Sequence, residues 1–448
     1  MSAHRLVNAL KRLKIGDAAV RRNPWFYADT QHALAQLESA DLHARRDWTH
    51  DRLEKALWSA RRSSYGRIIR GSKDLRTWPL LDKSSVHADP SAFRTHIRLL
   101  TLTASTGGTS GVPLRVFRSL RSIASEQACI DNVMQKLGTN ARSARYAVLR
   151  GDAIKDPSDF RPPYWVYANG GQRMLLSSSH LRIATINDYE RALTSFAPDV
   201  LFAYPTSLEA LCILLDRTGT KLRVPTVVCS SEMLNPHVWH EARRLLGCSL
   251  LDYYGLAERT AFAYATTPGE YRFLPGYAHI ELVYVGEEQD QRIYEIVGTS
   301  LWNQAMALVR YRSGDLIRIP AAWRAAELEE LSLGLRTFAG VLGRSNDVLL
   351  TPEGVIAPAI NQFPRDVAHV ARIQVIQESL EHVRILVVTA NGYSARDEEQ
   401  LLGNIRLKLP QSMEVSIEIT DSLERTALGK TPFVIHRPEV KALLRQRS

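Results

Sequence analysis

Residues 103–114 read Thr-Ala-Ser-Thr-Gly-Gly-Thr-Ser-Gly-Val-Pro-Leu, and this Gly-rich segment is the most informative stretch of the 448-residue chain. Glycines let backbone N–H groups approach an anion and hydroxyls add donors, so the composition suits a loop that binds a polyphosphate. The residues expected at the phosphates are Ser105, Thr106, Gly107, Gly108, Thr109, Ser110 and Gly111. A flexible surface linker has a similar composition, and the segment alone leaves both interpretations open.

This loop is not a P-loop of the Walker type. The Gly-Lys-Thr sequence of the chain is Gly429-Lys430-Thr431, and Glu424 occupies the position of the first glycine that a P-loop requires. The residues that follow, 432–435, favour a strand where a P-loop would begin a helix. A P-loop ATPase is therefore disfavoured.

Outward from the loop, short apolar runs alternate with helical patterns as far as about residue 340. Strands are predicted at 145–149, 200–203, 226–229 and 250–253, helices at 208–215 and 236–246, and an antiparallel hairpin at 279–285 and 292–297. The first hundred residues are predicted to be helical, with helices at 30–38 and 51–61. Strands and helices that alternate in this way predict an α/β sheet covered on both faces.

The pattern changes near Gly343-Arg344-Ser345-Asn346. The rest of the chain has the size and pattern of a small α+β domain, with predicted strands at 373–377, 383–389 and 415–420 and a helix at 395–407. We therefore expect two domains, a large one over residues 1–343 and a small one over residues 344–448.

Composition and charge narrow the class of protein. The longest apolar runs have only the length of a strand, which predicts no membrane-spanning segment, and the N-terminus lacks the apolar core of a secretory signal. The four cysteines are scattered, so we expect buried thiols in a reduced, cytoplasmic compartment. The net charge of +10 suits polyanionic substrates or an acidic protein partner. Nucleic-acid binding is disfavoured because the basic clusters contain few aromatic residues.

Two further segments combine a turn with a carboxylate. In Asp252-Tyr-Tyr-Gly-Leu-Ala-Glu-Arg259 an aromatic ring precedes a glycine turn, and Glu258 follows it. Such a ring can stack on a base and such a carboxylate can hold a divalent cation, although an ion pair between Glu258 and Arg259 or a neighbouring helix is the alternative. In Val309-Arg-Tyr-Arg-Ser-Gly-Asp-Leu-Ile317, Asp315 is placed to accept hydrogen bonds from a ribose diol, or simply to form a turn.

The order of these segments along the chain resembles the adenylate-forming superfamily of acyl-CoA synthetases, adenylation domains and related ligases. The Gly-rich loop is similar to its phosphate motif, Tyr254-Gly-Leu-Ala-Glu258 to Tyr-Gly-x-x-Glu, and Tyr311-Arg-Ser-Gly-Asp315 to Tyr-x-Thr-Gly-Asp. Gly343-Arg344 resembles the hinge motif, and Thr426-Ala-Leu-Gly-Lys430 the terminal Thr-x-x-Gly-Lys.

Within that superfamily the chain resembles the phenylacetate–CoA ligase branch, which includes coenzyme F390 synthetase-like and capsular-polysaccharide-associated proteins. The features in common are Leu80-Leu-Asp-Lys83, Tyr204-Pro-Thr-Ser-Leu-Glu-Ala-Leu211 and Ser230-Ser-Glu-Met233. The resemblance spans about residues 75–437. It implies a large N-terminal α/β domain of adenylate-forming type and a small mobile C-terminal α+β domain.

The implied reaction has two halves. A carboxylic acid and ATP give an acyl-adenylate and pyrophosphate, and a thiol of CoA or of a carrier protein's phosphopantetheine then displaces AMP. Charge grows on the α-phosphate as pyrophosphate leaves, and the resemblance implies that Lys430 is the cation aimed there. It also implies an Mg²⁺ ligand in Glu258, adenine and ribose contacts from Ser231, Glu232, Tyr254, Gly255, Asp315 and Arg344, and a hinge at Asn346. A homodimer is expected on the same ground.

Some positions depart from the family pattern. Val112 stands where many relatives have lysine, Ser313 replaces threonine, and Asn346 followed by Asp347 replaces the usual hinge residue. Domain rotation and the second half-reaction are therefore less firmly implied than adenylation. Adenylyl transfer to a hydroxyl and a catalytically impaired nucleotide-binding homologue remain as alternatives.

The acid itself is inferred from aromatic residues. The family's acyl pocket lies near the Tyr-Gly motif, so its candidate lining residues are Tyr204, Phe262, Tyr264 and Tyr277. This lining favours an aryl or arylacetic acid, although aromatic side chains near a site are often part of the core.

Overall fold

The fold is described from a computed structural model. It covers residues 17–95, 101–105, 114–150, 154–155, 159–288, 290–344, 349–352, 356–357, 363–364, 367, 369–406, 409–425 and 431–445. The chain divides into two compact units, the first made of residues 1–313 and 317–341 and the second of residues 314–316 and 342–448. The functional boundary at 343/344 stays a prediction, because its hinge residue Asn346 lies outside the described residues.

The N-terminal region is helical. Its α-helices are α1 (Pro24–Ser39), α2 (Leu42–Ala60), α3 (Ser64–Ile68) and α4 (Lys83–Ala88), with short helical turns at Asp17–Arg21, Leu75–Thr77 and Pro90–Phe93. The side chain of Asn23 caps α1, and the side chain of Asp41 accepts a hydrogen bond from the backbone of Ala44 to cap α2. The predicted helices at 30–38 and 51–61 are confirmed as parts of α1 and α2.

A hairpin and an eight-stranded sheet follow. Strands β1 (Thr101–Ser105) and β2 (Arg115–Ser119) pair antiparallel and lead into α5 (Leu120–Lys136). The sheet comprises β3 (Tyr146–Arg150), β4 (Trp165–Ala168), β5 (Arg173–Ser177), β6 (Val200–Ala203), β7 (Thr226–Ser230), β8 (Ser249–Gly255), β9 (Phe262–Ala265) and β10 (Arg272–Phe273), in the order β10-β9-β8-β7-β6-β3-β5-β4. Helices α6 (Ile186–Phe196), α7 (Pro205–Thr218) and α8 (Pro236–Leu246) alternate with these strands.

The centre of this sheet is parallel and buried on both faces. Strand β7 is buried at all five of its positions, which explains its continuous apolar run. Helices α7 and α8 end at Gly219 and Gly247, both in the left-handed conformation that glycine adopts without strain. The predicted strands and the α/β class are confirmed.

A four-stranded antiparallel sheet follows in the chain. Its strands are β11 (Ala278–Glu288), β12 (Gln291–Ser300), β13 (Tyr311–Pro320) and β14 (Val341–Arg344), in sequence order, and α9 (Ala325–Ser332) precedes the last strand. The predicted hairpin is the long β11–β12 pair, with Ile280 opposite Gly298. This sheet positions residues 311–315 of the third motif.

The second unit is a small α+β fold. Its elements are β15 (Leu349–Leu350), β16 (Ile356–Ala357), β17 (Val370–Gln377), β18 (His382–Thr389), α10 (Ala395–Arg406), β19 (Glu414–Ile419), β20 (Val434–His436) and α11 (Pro438–Arg445). Its main sheet has the order β19-β18-β17-β20. Apolar residues of β17 and β18 pack against Leu401 and Ile405 of α10, which gives the unit its own core.

All four cysteines are buried free thiols, as expected. Burial raises the pKa of the Cys129 thiol well above its ordinary value, so this group is inert. Among the helices that the structure describes, none is long and apolar enough to cross a membrane.

The backbone at Gly298 lies close to the backbone of Thr260, and this contact gives a first prediction. A Cβ atom at Gly298 would overlap the carbonyl oxygen of Thr260, whereas a Cβ atom at Gly286 of the same sheet would meet open space. We expect Gly298→Ala to lower the free energy of unfolding by about 2–3 kcal/mol. Gly286→Ala, the matched control, should change it by less than about 0.5 kcal/mol in urea titrations. Equal effects of the two substitutions would contradict this packing.

Candidate active site

The parallel strands of the large sheet end at one edge. Strands β3, β6, β7 and β8 run parallel in register, with Leu149 beside Ala203 and Ala203 beside Cys229. Side chains that follow these strands therefore lie at the same edge, which is where ligands bind in open α/β sheets. The segments after β6, β7 and β8 carry Tyr204, Ser231 with Glu232, and Glu258.

The Tyr-Gly motif forms the end of β8 and the turn that leads to β9. Tyr254 is half-buried and Gly255 is exposed, whereas Glu258 is only 5% exposed. The turn is closed by a backbone hydrogen bond from Arg259 to Leu256, and Arg259 itself has φ 65°. A left-handed non-glycine residue costs about 1–3 kcal/mol, so surrounding contacts must hold it.

Those contacts come from a cluster around Arg259. Its guanidinium forms an ion pair with Glu126 of α5, and the hydroxyl of Tyr277 donates to the same carboxylate. Burial opposes the charge, but Glu126 and Tyr277 outweigh it and raise the pKa of Arg259 above its ordinary value. The alternative of a Glu258–Arg259 ion pair is not observed in the described residues, because Arg259 pairs with Glu126.

The hairpin that carries the Gly-rich loop is tied to the same turn. Arg118 on β2 donates through Nε and Nη2 to the carbonyl oxygen of Ala257, over 3.1 and 2.7 Å. Burial, together with the nearby Arg259, lowers the pKa of Arg118 to about 10, so it stays charged at neutral pH. Strand β2 is thereby joined to the segment that holds Glu258.

The third motif lies on β13 and reaches the same carboxylate. The hydroxyl of Tyr311 donates to Oε1 of Glu258 over 2.9 Å, and both residues are buried. Ser313 donates to the backbone of Ile296 over 2.6 Å, so the hydroxyl it shares with threonine has a structural use. Gly314 has φ 74°, and Asp315 is 5% exposed.

The turn after β7 is shaped for backbone contacts. Ser231 adopts φ 75°, which is unusual for a residue with a side chain. The side chain of Glu232 accepts a hydrogen bond from the backbone N–H of Thr206, 3.0 Å away in the first turn of α7. This contact fixes the turn against α7, and the adenine contacts of Ser231 and Glu232 stay predictions.

The four aromatic residues predicted for the acyl pocket lie in three different surroundings. Tyr204 lies at the carboxyl edge, beside Arg150. Phe262 and Tyr277 are buried and in ring contact with each other, at 5.2 Å between centroids. Tyr264 lines another cavity, where Lys136 donates to its hydroxyl over 3.2 Å. Phe262 is nevertheless the cross-strand partner of Gly255 at the carboxyl end of β8, so Tyr204 and Phe262 both lie at this edge, and the acyl-pocket roles of all four residues stay predictions.

Several predicted residues fall wholly or partly outside the described part of the chain. These are Thr106, Gly107, Gly108, Thr109, Ser110, Gly111, Asn346 and Lys430. Ser105 ends β1 and Arg344 ends β14, and only their backbone is described. Their roles stay predictions.

Two residues of the site escaped the sequence analysis. Arg118 and Arg150 lie on strands, and neither belongs to a motif. Nη2 of Arg150 donates to Oγ of Ser230 over 3.0 Å, so its guanidinium reaches from β3 across to β7. The signal available in the sequence was a basic residue at the end of a buried apolar strand.

A divalent cation would have one carboxylate at this site. Among the described residues, no group of three or more His, Cys, Asp or Glu side chains is arranged to hold a metal ion. Glu258 presents a carboxylate with Oε1 oriented by Tyr311, and Mg²⁺ is commonly held by one or two carboxylates together with substrate phosphates. The residues therefore fit Mg²⁺ bound jointly with a nucleotide.

The fold and the joined motif segments define an adenylate-forming ligase. The AMP-binding enzyme family matches residues 73–317, more than half of the chain, and the CapK C-terminal domain family matches residues 349–437. The chain belongs to the AMP-binding enzyme family, whose members activate acids as acyl-adenylates. The resemblance stated from the motifs, including the phenylacetate–CoA ligase-like branch, is confirmed.

Individual relatives are distant. Protein CapK of Staphylococcus aureus is 19% identical over 370 residues, which cover 80% of this chain and 79% of that protein. Phenylacetate-coenzyme A ligase of Pseudomonas putida is 26% identical over 200 residues, or 42% of each chain. A crystal structure of 2-hydroxyisobutyryl-CoA ligase in complex with R3-HIB-AMP superposes with a TM-score of 0.59 at 13% identity and covers 89% of this chain and 91% of that one. This last similarity shows a common fold.

Asp252 lies next to the Tyr-Gly motif, and the pH dependence of stability tests whether its carboxyl is buried. Burial raises the pKa of this carboxyl from 3.8 to about 7, although the hydroxyl of Tyr271 donates to it. A raised folded-state pKa means that stability is lost as pH rises from about 4 through 7. We expect the gain in unfolding free energy from Asp252→Asn to be larger at pH 8 than at pH 5, by on the order of 2–3 kcal/mol. Urea titrations measure it.

Asp51→Asn, at an exposed position of α2, is the control and should show no such pH dependence. A stability difference between wild type and Asp252→Asn that is the same at both pH values would overturn the assignment of a raised pKa.

Proposed function

We propose that this protein uses ATP to convert a carboxylic acid into an acyl-adenylate and then transfers the acyl group to a thiol of CoA or of a carrier protein. The observation that carries the proposal is that the turn of the Tyr-Gly motif is contacted both by the third motif and by the strand that follows the Gly-rich loop. Arg118 of the phosphate hairpin holds the turn at Ala257, and Tyr311 of the third motif holds Glu258. These two contacts support the proposal because they connect β2 and β13 to the turn that holds Glu258.

Each residue has a role in this proposal. The loop 105–111 binds the phosphates of ATP, Glu258 holds Mg²⁺ against them, and Asp315 accepts hydrogen bonds from the ribose. Tyr254 and Gly255, with the turn at Ser231 and Glu232, border the adenine, and Arg344 contacts the nucleotide or supports the hinge at Asn346. Lys430 donates positive charge to the α-phosphate as pyrophosphate leaves. Mg²⁺ supplies charge neutralisation on the phosphates when bound.

We propose an aryl or arylacetic acid as substrate. Tyr204 and Phe202 present aromatic faces at the carboxyl edge, within 5.5 and 5.2 Å of the Arg150 guanidinium carbon. The similar ligases from Pseudomonas putida and of known structure act, by their names, on phenylacetate and 2-hydroxyisobutyrate. The choice between CoA and a carrier protein, a cytoplasmic location and a homodimer belong to the proposal as well.

The decisive experiment is acid-dependent exchange of pyrophosphate into ATP, screened over aryl, arylacetic, fatty and amino acids. We expect Lys430→Ala to lower exchange at least about 100-fold, because it removes the cation at the reacting phosphate. Lys441→Ala, which changes a lysine of α11 in the same unit, should retain exchange. Unchanged exchange in a folded Lys430→Ala protein would contradict the role of this lysine.

Product analysis separates the alternatives. Mass spectrometry should find an acyl-thioester and free AMP when CoA or a carrier protein is present. An adenylylated hydroxyl acceptor would favour adenylyl transfer instead. Nucleotide binding without exchange for any acid would favour a catalytically impaired homologue.

A further inference from the structure

Arg150 stands at the candidate site without a counter-charge. It is the last residue of β3 and is half-buried at the carboxyl edge of the sheet. In the part of the chain that the structure describes, Arg150 forms no ion pair, and its Nε atom is buried without a hydrogen-bond partner. Its polar contact is the 3.0 Å hydrogen bond to the neutral hydroxyl of Ser230.

Three other half-buried arginines of the same unit have a carboxylate partner. Arg259 pairs with Glu126, Arg310 with Glu281 over 2.9 Å, and Arg312 with Glu295 over 2.6 Å. Removal of a cation from water is costly unless a partner compensates it. Arg118 and Arg45 lack a carboxylate but donate to two or more carbonyl oxygens or through two nitrogens, whereas Arg150 has one hydroxyl partner and a buried Nε without one, so a bound anion would satisfy its free donor.

The residues around Arg150 indicate the chemical class of the ligand to which this anionic group belongs. The guanidinium carbon lies 5.2 Å from the ring centroid of Phe202 and 5.5 Å from that of Tyr204, so two aromatic faces flank the charge. An aromatic wall with one fixed cation matches an acid that has an apolar ring and a second anionic group. A guanidinium can donate two parallel hydrogen bonds to the two oxygens of one carboxylate, so carboxylate is the preferred anion.

The reacting carboxylate is a poorer match for this cation. It loses its negative charge when it becomes the acyl group of the adenylate, and Arg150 would then be left unpaired again. A second carboxylate keeps its charge through both half-reactions. We propose that Arg150 is a specificity-determining residue that binds a second carboxylate of the acid, so that the substrate is an aryl or arylacetic acid with two carboxyl groups. This inference rests on the proposed function.

The test compares matched acids in pyrophosphate exchange. Wild type should use 4-carboxyphenylacetate at least about 10-fold better in kcat/KM than phenylacetate. Arg150→Met should lower kcat/KM for the diacid about 100-fold, mainly through KM, and this loss should exceed the loss for phenylacetate by at least about 10-fold. Arg150→Lys should restore part of the loss. Arg76→Met, at an exposed arginine paired with Asp74, is the control and should change neither acid.

Calorimetric titration of 4-carboxyphenylacetate without ATP tests the same site independently of catalysis. Saturable binding to wild type that Arg150→Met abolishes is the expected result. A wild-type preference for phenylacetate, or an equal loss for both acids or for ATP binding in Arg150→Met, would overturn the proposal while leaving acid activation intact. Absence of exchange with every acid would refute the proposed function, and absence of diacid binding to wild type would refute the role of Arg150.

Discussion

Glu258 is a carboxylate kept almost entirely from solvent, and its 2.9 Å hydrogen bond from Tyr311 is the contact on which the candidate site depends. It joins a turn of the large α/β sheet to a strand of the neighbouring antiparallel sheet. A buried carboxylate without a donor is costly, so the two segments stabilise each other's position. The candidate site therefore contains residues that belong to two sheets, and the hydrogen bond to Oε1 of Glu258 connects them.

The turn around Glu258 is held from its other side by charge. Arg259 has a left-handed backbone and enters a buried cluster with Glu126 and Tyr277, which fixes the side chain that follows Glu258 in the sequence. Arg118 binds the carbonyl oxygen of Ala257, the residue before it. Because both neighbours of Glu258 are anchored, the carboxylate has a defined direction in the absence of ligand, as preorganised polar sites require.

The sequence predicted what lies in contiguous segments. The apolar runs at 200–203 and 226–229 predicted β6 and β7 correctly, and the motifs placed Tyr254, Glu258 and Asp315 in the predicted site, where their roles stay predictions. Arg150 was not predicted because its contact with Ser230 depends on the strand order β8-β7-β6-β3, and Arg118 because its contact joins two segments that lie 139 residues apart. Phe262 and Tyr277 were chosen for proximity in sequence; both belong to one buried apolar cluster, and their roles at the acyl pocket stay predictions.

The central claim, that Glu258 and Tyr311 act as one unit, is tested most directly by a double-mutant cycle. Glu258→Ala, Tyr311→Phe and the double variant are unfolded in urea and their free energies compared with wild type. The account predicts a coupling energy of about 1–3 kcal/mol, because either single substitution already breaks the hydrogen bond. Additive effects, with a coupling energy near zero, would contradict it.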